Sequence, residues 1–117
     1  MTLRDYARFG LFMLEGGKAG GQQILPEGWI EDATRPHVKD PAYGYFWWLV
    51  PGAYEAEGIY GQVIAVFPKD HLVVAMNSAW TEADPTANWE AEYALIRAIQ
   101  ASSEPLQASA ARGRTAP

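Results

Sequence analysis

Two pairs of carboxylates stand two residues apart in the sequence and are the first candidates for acid–base chemistry. The pairs are Glu55 with Glu57, and Glu90 with Glu92. In a strand, residues i and i+2 lie on the same face, so such a pair could exchange a proton with a substrate. Solvated charge on a hairpin and on a helix is the alternative explanation. A small independent enzyme that uses Glu55 or Glu57 is therefore one hypothesis.

The histidines and serines form no clear catalytic or metal-binding pattern. Neither His37 nor His71 has a His, Asp or Glu four residues further on, which is the spacing of a helical metal pair. We therefore predict no metal ion and no cofactor. Asp70, His71 and Ser78 have the residue types of a catalytic triad. However, Asp70 and His71 are neighbours at a predicted turn, and no Gly-x-Ser-x-Gly sequence is present.

Residues 58–62, with the sequence Gly-Ile-Tyr-Gly-Gln, are the most unusual short segment. Two glycines weaken a strand, so they require a reason such as a close backbone approach, a bulge or access for a ligand. A free backbone N–H at the start of a strand can donate to the carbonyl oxygen of a substrate. A glycine bulge packed beneath a helix is the structural alternative.

Composition excludes several classes of function. The chain has 117 residues, a formal net charge of −5 and no basic patch, which argues against nucleic acid and against an anionic membrane surface as partners. A hydrophobic content of 49% with five Trp predicts a folded chain. There is no signal-peptide pattern, and the longest apolar run is too short for a membrane helix. Because the chain has no cysteine, disulfide bonds give no indication of its cellular compartment.

The hydrophobic pattern predicts an α+β domain over residues 1–101. Thr2 and Asp5 form an approximate capping box for a first helix, which ends at Gly16 and Gly17. The further predicted elements are a short helix at 26–33, strands at 43–50, 58–67 and 72–78, and a helix at 86–100. We expect a three-stranded antiparallel sheet flanked by the N-terminal and C-terminal helices. Residues 102–117 are predicted to be a disordered tail.

Several segments, in order, carry a resemblance to a known family. They are Tyr-Gly-Tyr-Phe-Trp-Trp at 43–48, Gly-Ile-Tyr-Gly-Gln at 58–62, Leu-Val-Val-Ala-Met-Asn-Ser-Ala-Trp at 72–80, and the first helix with Ile-Leu-Pro-Glu-Gly-Trp at 24–29. This series resembles the C-terminal part of penicillin-recognising serine hydrolases with a β-lactamase-like fold. Within them it is most similar to the class C β-lactamase-like proteins and the 6-aminohexanoate-oligomer hydrolases.

The resemblance implies an active-site wall and also shows what is missing. The strand that carries the family's third motif resembles residues 58–62, so the backbone N–H of Ile59 would be an oxyanion-hole donor. Gly58, Tyr60, Gly61 and Gln62 would form the wall around it. The family's Ser-x-x-Lys, Tyr-x-Asn and Lys-Thr-Gly are absent. We therefore expect the nucleophile and base in a segment before residue 1, and no activity from this chain alone.

Two function classes remain open on this basis. One is a segment of an amide- or ester-hydrolysing serine enzyme, and the other is a free-standing interaction or structural module with the same sheet. In the family, the strand that resembles residues 72–78 pairs with an N-terminal strand. We expect this apolar edge to be covered by the missing N-terminal segment, by the chain's own termini or by a second copy in a homodimer.

Overall fold

The computed structural model describes residues 1–113, with side chains described through residue 104. Within residues 1–113 the chain forms three helices and eight strands. In chain order they are α1 (Leu3–Leu14), β1 (Lys18–Ala19), β2 (Gln22–Gln23), α2 (Trp29–Ala33), β3 (Val38–Lys39), β4 (Ala42–Tyr43), β5 (Trp48–Val50), β6 (Ala53–Gly58), β7 (Gln62–Phe67), β8 (Leu72–Met76) and α3 (Thr86–Gly113). None of the described helices combines the length and apolarity that a membrane span requires.

The sheet has six strands instead of the three that the sequence predicted. Its order is β3-β4-β5-β6-β7-β8, every neighbouring pair is antiparallel, and β1 and β2 form a separate hairpin. The predicted strand at 43–50 is two strands, because Phe46 has a left-handed φ of 64° that breaks the extended run. The predicted strand at 58–67 begins only at Gln62, and Gly58 instead ends β6.

Helix α1 begins and ends where the sequence predicted. The Thr2 hydroxyl accepts from the Asp5 backbone N–H at 3.2 Å, and the Asp5 carboxylate accepts from the Thr2 N–H at 2.9 Å, so the capping box is confirmed. Gly16 and Gly17 follow the helix with φ of 75° and 77°. The second helix is shorter than predicted and begins after Gly28, which has a left-handed φ of 82°.

The two long helices cover opposite faces of the central strands. On the α1 face the buried core contains Met13, Trp47, Tyr54, Ile64 and Val66. On the α3 face it contains Val63, Ala65, Phe67, Val74 and Ile96. Side chains alternate along a strand, so successive residues of β7 supply the two cores in turn. The prediction that the N-terminal and C-terminal helices flank the sheet is confirmed.

Helix α3 extends beyond its predicted end near Gln100 and is helical to Gly113. Trp89, Ile96 and Ile99 form an apolar stripe on this helix and pack into the core of the α3 face. The predicted disordered tail at 102–117 overlaps the end of this helix, and residues 114–117 lie outside the described residues. The disorder of the tail therefore stays a prediction.

Candidate functional site

Residues 58–62 form the tight turn between β6 and β7. The Gly61 N–H donates to the Gly58 carbonyl at 2.9 Å, which closes a β-turn around Ile59 and Tyr60. The Tyr60 carbonyl accepts from Trp80 at 3.4 Å, and the Ile59 carbonyl accepts from Asp84 at 2.8 Å. The turn is therefore held on its outer side by the segment that leads from β8 to α3.

Both glycines of this turn have structural reasons. Gly61 has a φ of 84°, and a Cβ at this position would collide with the Trp80 ring and with the Ser78 side chain. A Cβ on Gly58 would lie 2.5 Å from Oε1 of Gln62. The turn conformation and these close contacts account for the two glycines. The glycines form a turn and not the bulge beneath a helix that the structural alternative predicted.

Ile59 and Tyr60 are the accessible residues at the tip of this turn. Their exposed fractions are 59% and 44%. The Ile59 N–H donates to no backbone carbonyl within the part of the chain that the structure describes. Gly58 and Gln62 line a cavity of about 230 Å³ together with Tyr6 of α1. The N–H groups of Ile59 and Tyr60 thus both lack a backbone acceptor in the described residues, and a recess lies beside the turn.

Three glutamates lie together on the α3 face of the sheet, next to this turn. Glu55 and Glu57 of β6 project toward α3, opposite Ala65 and Val63 of β7, and Glu92 projects from α3. Glu55 is 1% exposed and Glu92 is 5% exposed. Oε2 of Glu55 and Oε1 of Glu92 have no hydrogen-bond partner in the described residues. Unpaired buried carboxyl oxygens are rare because they lose hydration without compensation.

The pKa values of this carboxylate cluster are raised. Burial raises the pKa of Glu55 to about 7, and the negative charge of Glu57 adds to the effect. Burial also raises the pKa of Glu57, although the Tyr93 hydroxyl, which donates to Glu57 Oε1 at 2.9 Å, opposes the shift. The pKa of Glu92 is raised by burial as well. Near neutral pH the buried Glu55 can therefore hold a proton and donate it in a hydrogen bond to Glu57.

The cluster corrects the interpretation of the carboxylate pairs. Glu55 and Glu57 do share a face that α3 covers, so Glu55 is buried and Glu57 is half-buried instead of a solvated charge on a hairpin. Glu90 is exposed and does not pair with Glu92. Because Glu55 is fully buried, it has no direct path to a substrate, and the structure gives no support to the hypothesis of a small enzyme that uses it.

The remaining sequence candidates do not meet in a catalytic arrangement. Ser78 Oγ donates to Glu92 Oε2 at 3.3 Å, and the Ser78 carbonyl accepts from Gln62. His71 lies at the opposite end of β8 from Ser78, in the turn after β7, with a φ of 46°. His37 stacks on the Tyr45 ring with 4.1 Å between centroids. No group of three potential ligand side chains is arranged to hold a metal ion within the described residues.

The sequence missed the role of Glu92 and the segment 80–84. Glu92 lies on the buried side of α3, one residue before Tyr93, whose hydroxyl contacts Glu57. Asp84 has a left-handed φ of 56°, and its carboxylate accepts from the Trp89 indole at 2.6 Å. Asp84 and Pro85 directly precede α3, a pattern typical of a helix start, and this pattern alone does not indicate a contact with the turn at Ile59.

The chain shares sequence with a curated hydrolase. It is 31% identical over 104 residues to the 6-aminohexanoate-dimer hydrolase of Paenarthrobacter ureafaciens, a match that covers 75% of this chain and 26% of the relative. The chain therefore spans about a quarter of the length of that relative. No protein-family model matches the chain. The chain is thus related to this hydrolase, and its resemblance to a C-terminal segment of a β-lactamase-like serine hydrolase is confirmed.

Proposed function

We propose that residues 58–62 form one wall of the active site of a β-lactamase-like serine hydrolase that cleaves amides or esters. In this proposal the Ile59 N–H stabilises the oxyanion that develops when a serine attacks the substrate carbonyl. Gly58, Tyr60, Gly61 and Gln62 form the wall around it. The observation that carries the proposal is that Ile59 is an exposed residue at the tip of the turn whose N–H has no backbone acceptor in the described residues, in a chain related to a hydrolase.

In this proposal the wall supplies the oxyanion-hole donor, and the nucleophile and base come from residues outside this sequence. No serine is followed three residues later by lysine, and no tyrosine is followed two residues later by asparagine. Without an activated nucleophile, covalent acyl transfer is not available to these residues. The proposal therefore requires that another segment supplies serine, lysine and tyrosine. It predicts that the purified chain does not hydrolyse a nitrophenyl ester or a chromogenic β-lactam.

A chimera tests the proposal directly. The matched region of the Paenarthrobacter hydrolase is replaced by this chain, and hydrolysis of a nitrophenyl ester is measured. We expect activity in the chimera and a loss of about 100-fold or more in kcat after Ile59→Pro, which removes the N–H. Ile59→Val keeps the N–H and is the matched control. A folded chimera in which Ile59→Pro leaves kcat unchanged would contradict the proposed donor.

Strand β8 forms one edge of the sheet and could pair with a further strand. This strand is last in the sheet order and pairs only with β7 among the described strands. Its Val73 packs in the core of the α1 face and its Val74 in the core of the α3 face, so what the edge offers a further strand is its outer row of backbone groups. We propose that the missing N-terminal segment pairs with this edge, or a second copy in a homodimer. A monomer in sedimentation with fast amide exchange along β8 would contradict the homodimer, and equally fast exchange along β8 in the chimera would contradict pairing with the N-terminal segment.

The alternative function is a free-standing interaction or structural module. The unpaired edge of β8 is the feature that favours it, because an edge strand can bind another strand without any catalytic group. The chimera separates the two functions. Activity that depends on the Ile59 N–H supports the hydrolase segment, and a folded but inactive chimera supports the module.

A further inference from the structure

The Ile59 N–H has a fixed direction, because the carbonyls of the peptide groups on both sides of it are hydrogen-bonded. The Gly58 carbonyl accepts from the Gly61 N–H at 2.9 Å inside the turn. In a trans peptide the N–H points opposite to the carbonyl, so the Ile59 N–H points out of the turn. The Ile59 carbonyl accepts from the Asp84 N–H at 2.8 Å. An oxyanion-hole donor is effective when it is held in place before the substrate arrives, and these two hydrogen bonds provide that restraint.

The outer of the two hydrogen bonds depends on an unusual backbone conformation at Asp84. The φ of Asp84 is 56°, in the left-handed region that is unfavourable for most residues with a side chain. Asp84 is also exposed, so burial does not hold its backbone in this conformation. The contact that holds its carboxylate is with Trp89, whose indole N–H donates to Oδ1 at 2.6 Å. The donor to the Ile59 carbonyl is therefore restrained by Trp89.

Trp89 also contacts Trp80, the second residue that touches the outer side of the turn. The Trp80 N–H donates to the Tyr60 carbonyl at 3.4 Å, and a Cβ on Gly61 would collide with the Trp80 ring. The rings of Trp80 and Trp89 meet edge to face, with 4.7 Å between centroids. Both residues that hold the turn from outside are thus in contact with Trp89.

Trp89 itself is anchored on the α3 face of the sheet. It is half-buried and packs against the core of that face. Its ring stacks on Tyr93 with 5.6 Å between centroids, and its backbone N–H donates to the Pro85 carbonyl at 3.2 Å in the first turn of α3. The side chain of Trp89 therefore connects the packed core to the two residues that hold the turn.

From these contacts we propose that Trp89 is a positioning residue for the oxyanion-hole donor at Ile59. It acts through Asp84 and Trp80, which hold the carbonyls of Ile59 and Tyr60. This role rests on the proposed function, since it requires an enzyme that uses the Ile59 N–H. Without the indole N–H, Asp84 loses the contact that restrains it, and the donor loses its fixed direction. Such a loss weakens stabilisation of the transition state and not substrate binding, so kcat falls while KM is unchanged.

The chimera with the Paenarthrobacter hydrolase, assayed with a nitrophenyl ester, tests this role. Trp89→Phe keeps an aromatic ring against the core but removes the indole N–H. We expect kcat to fall about tenfold with KM unchanged, a smaller loss than the one expected for Ile59→Pro. Trp29→Phe makes the same replacement in α2, where the ring contacts Tyr45, and is the matched control. An unchanged kcat in Trp89→Phe would overturn the proposal.

A double variant separates positioning from a general structural effect. If Trp89 acts through the Ile59 N–H, adding Trp89→Phe to Ile59→Pro should lower kcat by less than about twofold further. A further tenfold loss in the double variant would overturn the proposal. The two proposals also fail differently. An unchanged kcat in Ile59→Pro contradicts the proposed function, whereas a loss in Ile59→Pro without a loss in Trp89→Phe contradicts only the role of Trp89.

Hydrogen exchange in the purified chain tests the same contacts without catalysis. Trp89→Phe should speed exchange of the Asp84 amide, which donates to Ile59, by at least about fivefold, and Trp29→Phe should not. The amide of Ala65 in β7 should exchange at its wild-type rate, which distinguishes local loosening from global unfolding. Unchanged exchange at Asp84 would overturn the proposal. If Trp89→Phe does not fold, Asp84→Gly decides, since glycine accepts a left-handed φ but has no carboxylate for the indole, and an unchanged kcat there would overturn the proposal.

Discussion

The two faces of the central strands are built from alternate residues of the same strands but bury different chemistry. The α1 face contains apolar and aromatic side chains, and its helix approaches closely enough that a Cβ on Gly10 would lie 2.5 Å from Cγ1 of Val73. The α3 face has a comparable apolar core around Ile96 but adds the buried carboxyls of Glu55 and Glu92. Helix α1 is held on the sheet by apolar packing, whereas helix α3 packs over a sheet face that also buries titratable carboxyl groups.

This difference separates the contributions of the faces to stability. Close packing between apolar surfaces does not change with pH, because no proton is bound or released there. On the α3 face, the folded chain binds a proton at Glu55 more tightly than the unfolded chain does. The attachment of α3 should therefore depend on pH, and the attachment of α1 should not. Mutations on the two faces test whether only the α3 face makes the stability depend on pH.

The largest expected effect is the pH dependence that Glu55 produces. Its pKa is raised from 4.5 to about 7 in the folded chain. The stabilisation is therefore fully present below about pH 4.5 and is lost as the pH rises to about 7, by roughly 3 kcal/mol. Glu57, Glu92 and Arg97 face this carboxyl, and Arg97 opposes the shift. The free energy of unfolding, measured by urea denaturation from pH 4 to 8, should fall over this range.

The variant Glu55→Gln isolates this effect. It keeps the size of the side chain but cannot ionise, so most of the fall in the free energy of unfolding between pH 4.5 and 7 should disappear. Glu90→Gln, at an exposed position, should leave the fall unchanged. A fall of the same size in the wild-type chain and in Glu55→Gln would assign the pH dependence to other groups.

A smaller effect is expected on the α1 face. Gly10→Ala places a methyl group against Val73 and Ile64, where a Cβ has contacts of 2.5 and 2.9 Å. Overpacking costs about 1–3 kcal/mol and outweighs the gain of about 1 kcal/mol in helix propensity. We expect a net destabilisation of about 1 kcal/mol in urea denaturation, equal at pH 5 and pH 8.

The control for this variant lies on the exposed side of the same helix. Leu11→Ala changes a residue that is 45% exposed and should shift the free energy of unfolding by less than about 0.5 kcal/mol. If the effect of Gly10→Ala varied with pH as strongly as the wild-type stability does, the two faces would not be energetically separate.

The parts of the fold with strong local signals were predictable from the sequence. The cap at Thr2, the glycine stop after α1 and the apolar stripe of α3 all rest on short-range patterns. The turn at residues 58–62 was found as a candidate through its glycines, but was placed in a strand. The residue types of this segment fit both a turn and the start of a strand. The positive φ of Gly61, which only the structure shows, identifies the turn.

The carboxylate cluster and most of the additional strands were not predictable in this way. Strand β6 reads Ala-Tyr-Glu-Ala-Glu-Gly, so its inward positions on the α3 face are charged and the usual alternation of apolar residues is absent. The two-residue strands β3 and β4 are too short to show a period. Burial of Glu92 depends on the position of α3 over the sheet, which is a tertiary property that no local pattern encodes.

The alternation of β6 has a consequence for how the chain avoids misfolding. A shift of β6 by one residue against β7 would turn Glu55 and Glu57 toward the α1 face, among Met13, Ile64 and Val66. Buried carboxyls among those side chains would cost several kcal/mol. The shifted pairing would also remove the Tyr93 hydroxyl from Glu57. The two glutamates thus disfavour the pairing of β6 with β7 that is shifted by one residue. They lower the stability of the folded chain, but they also make a single pairing of the two strands the favoured one.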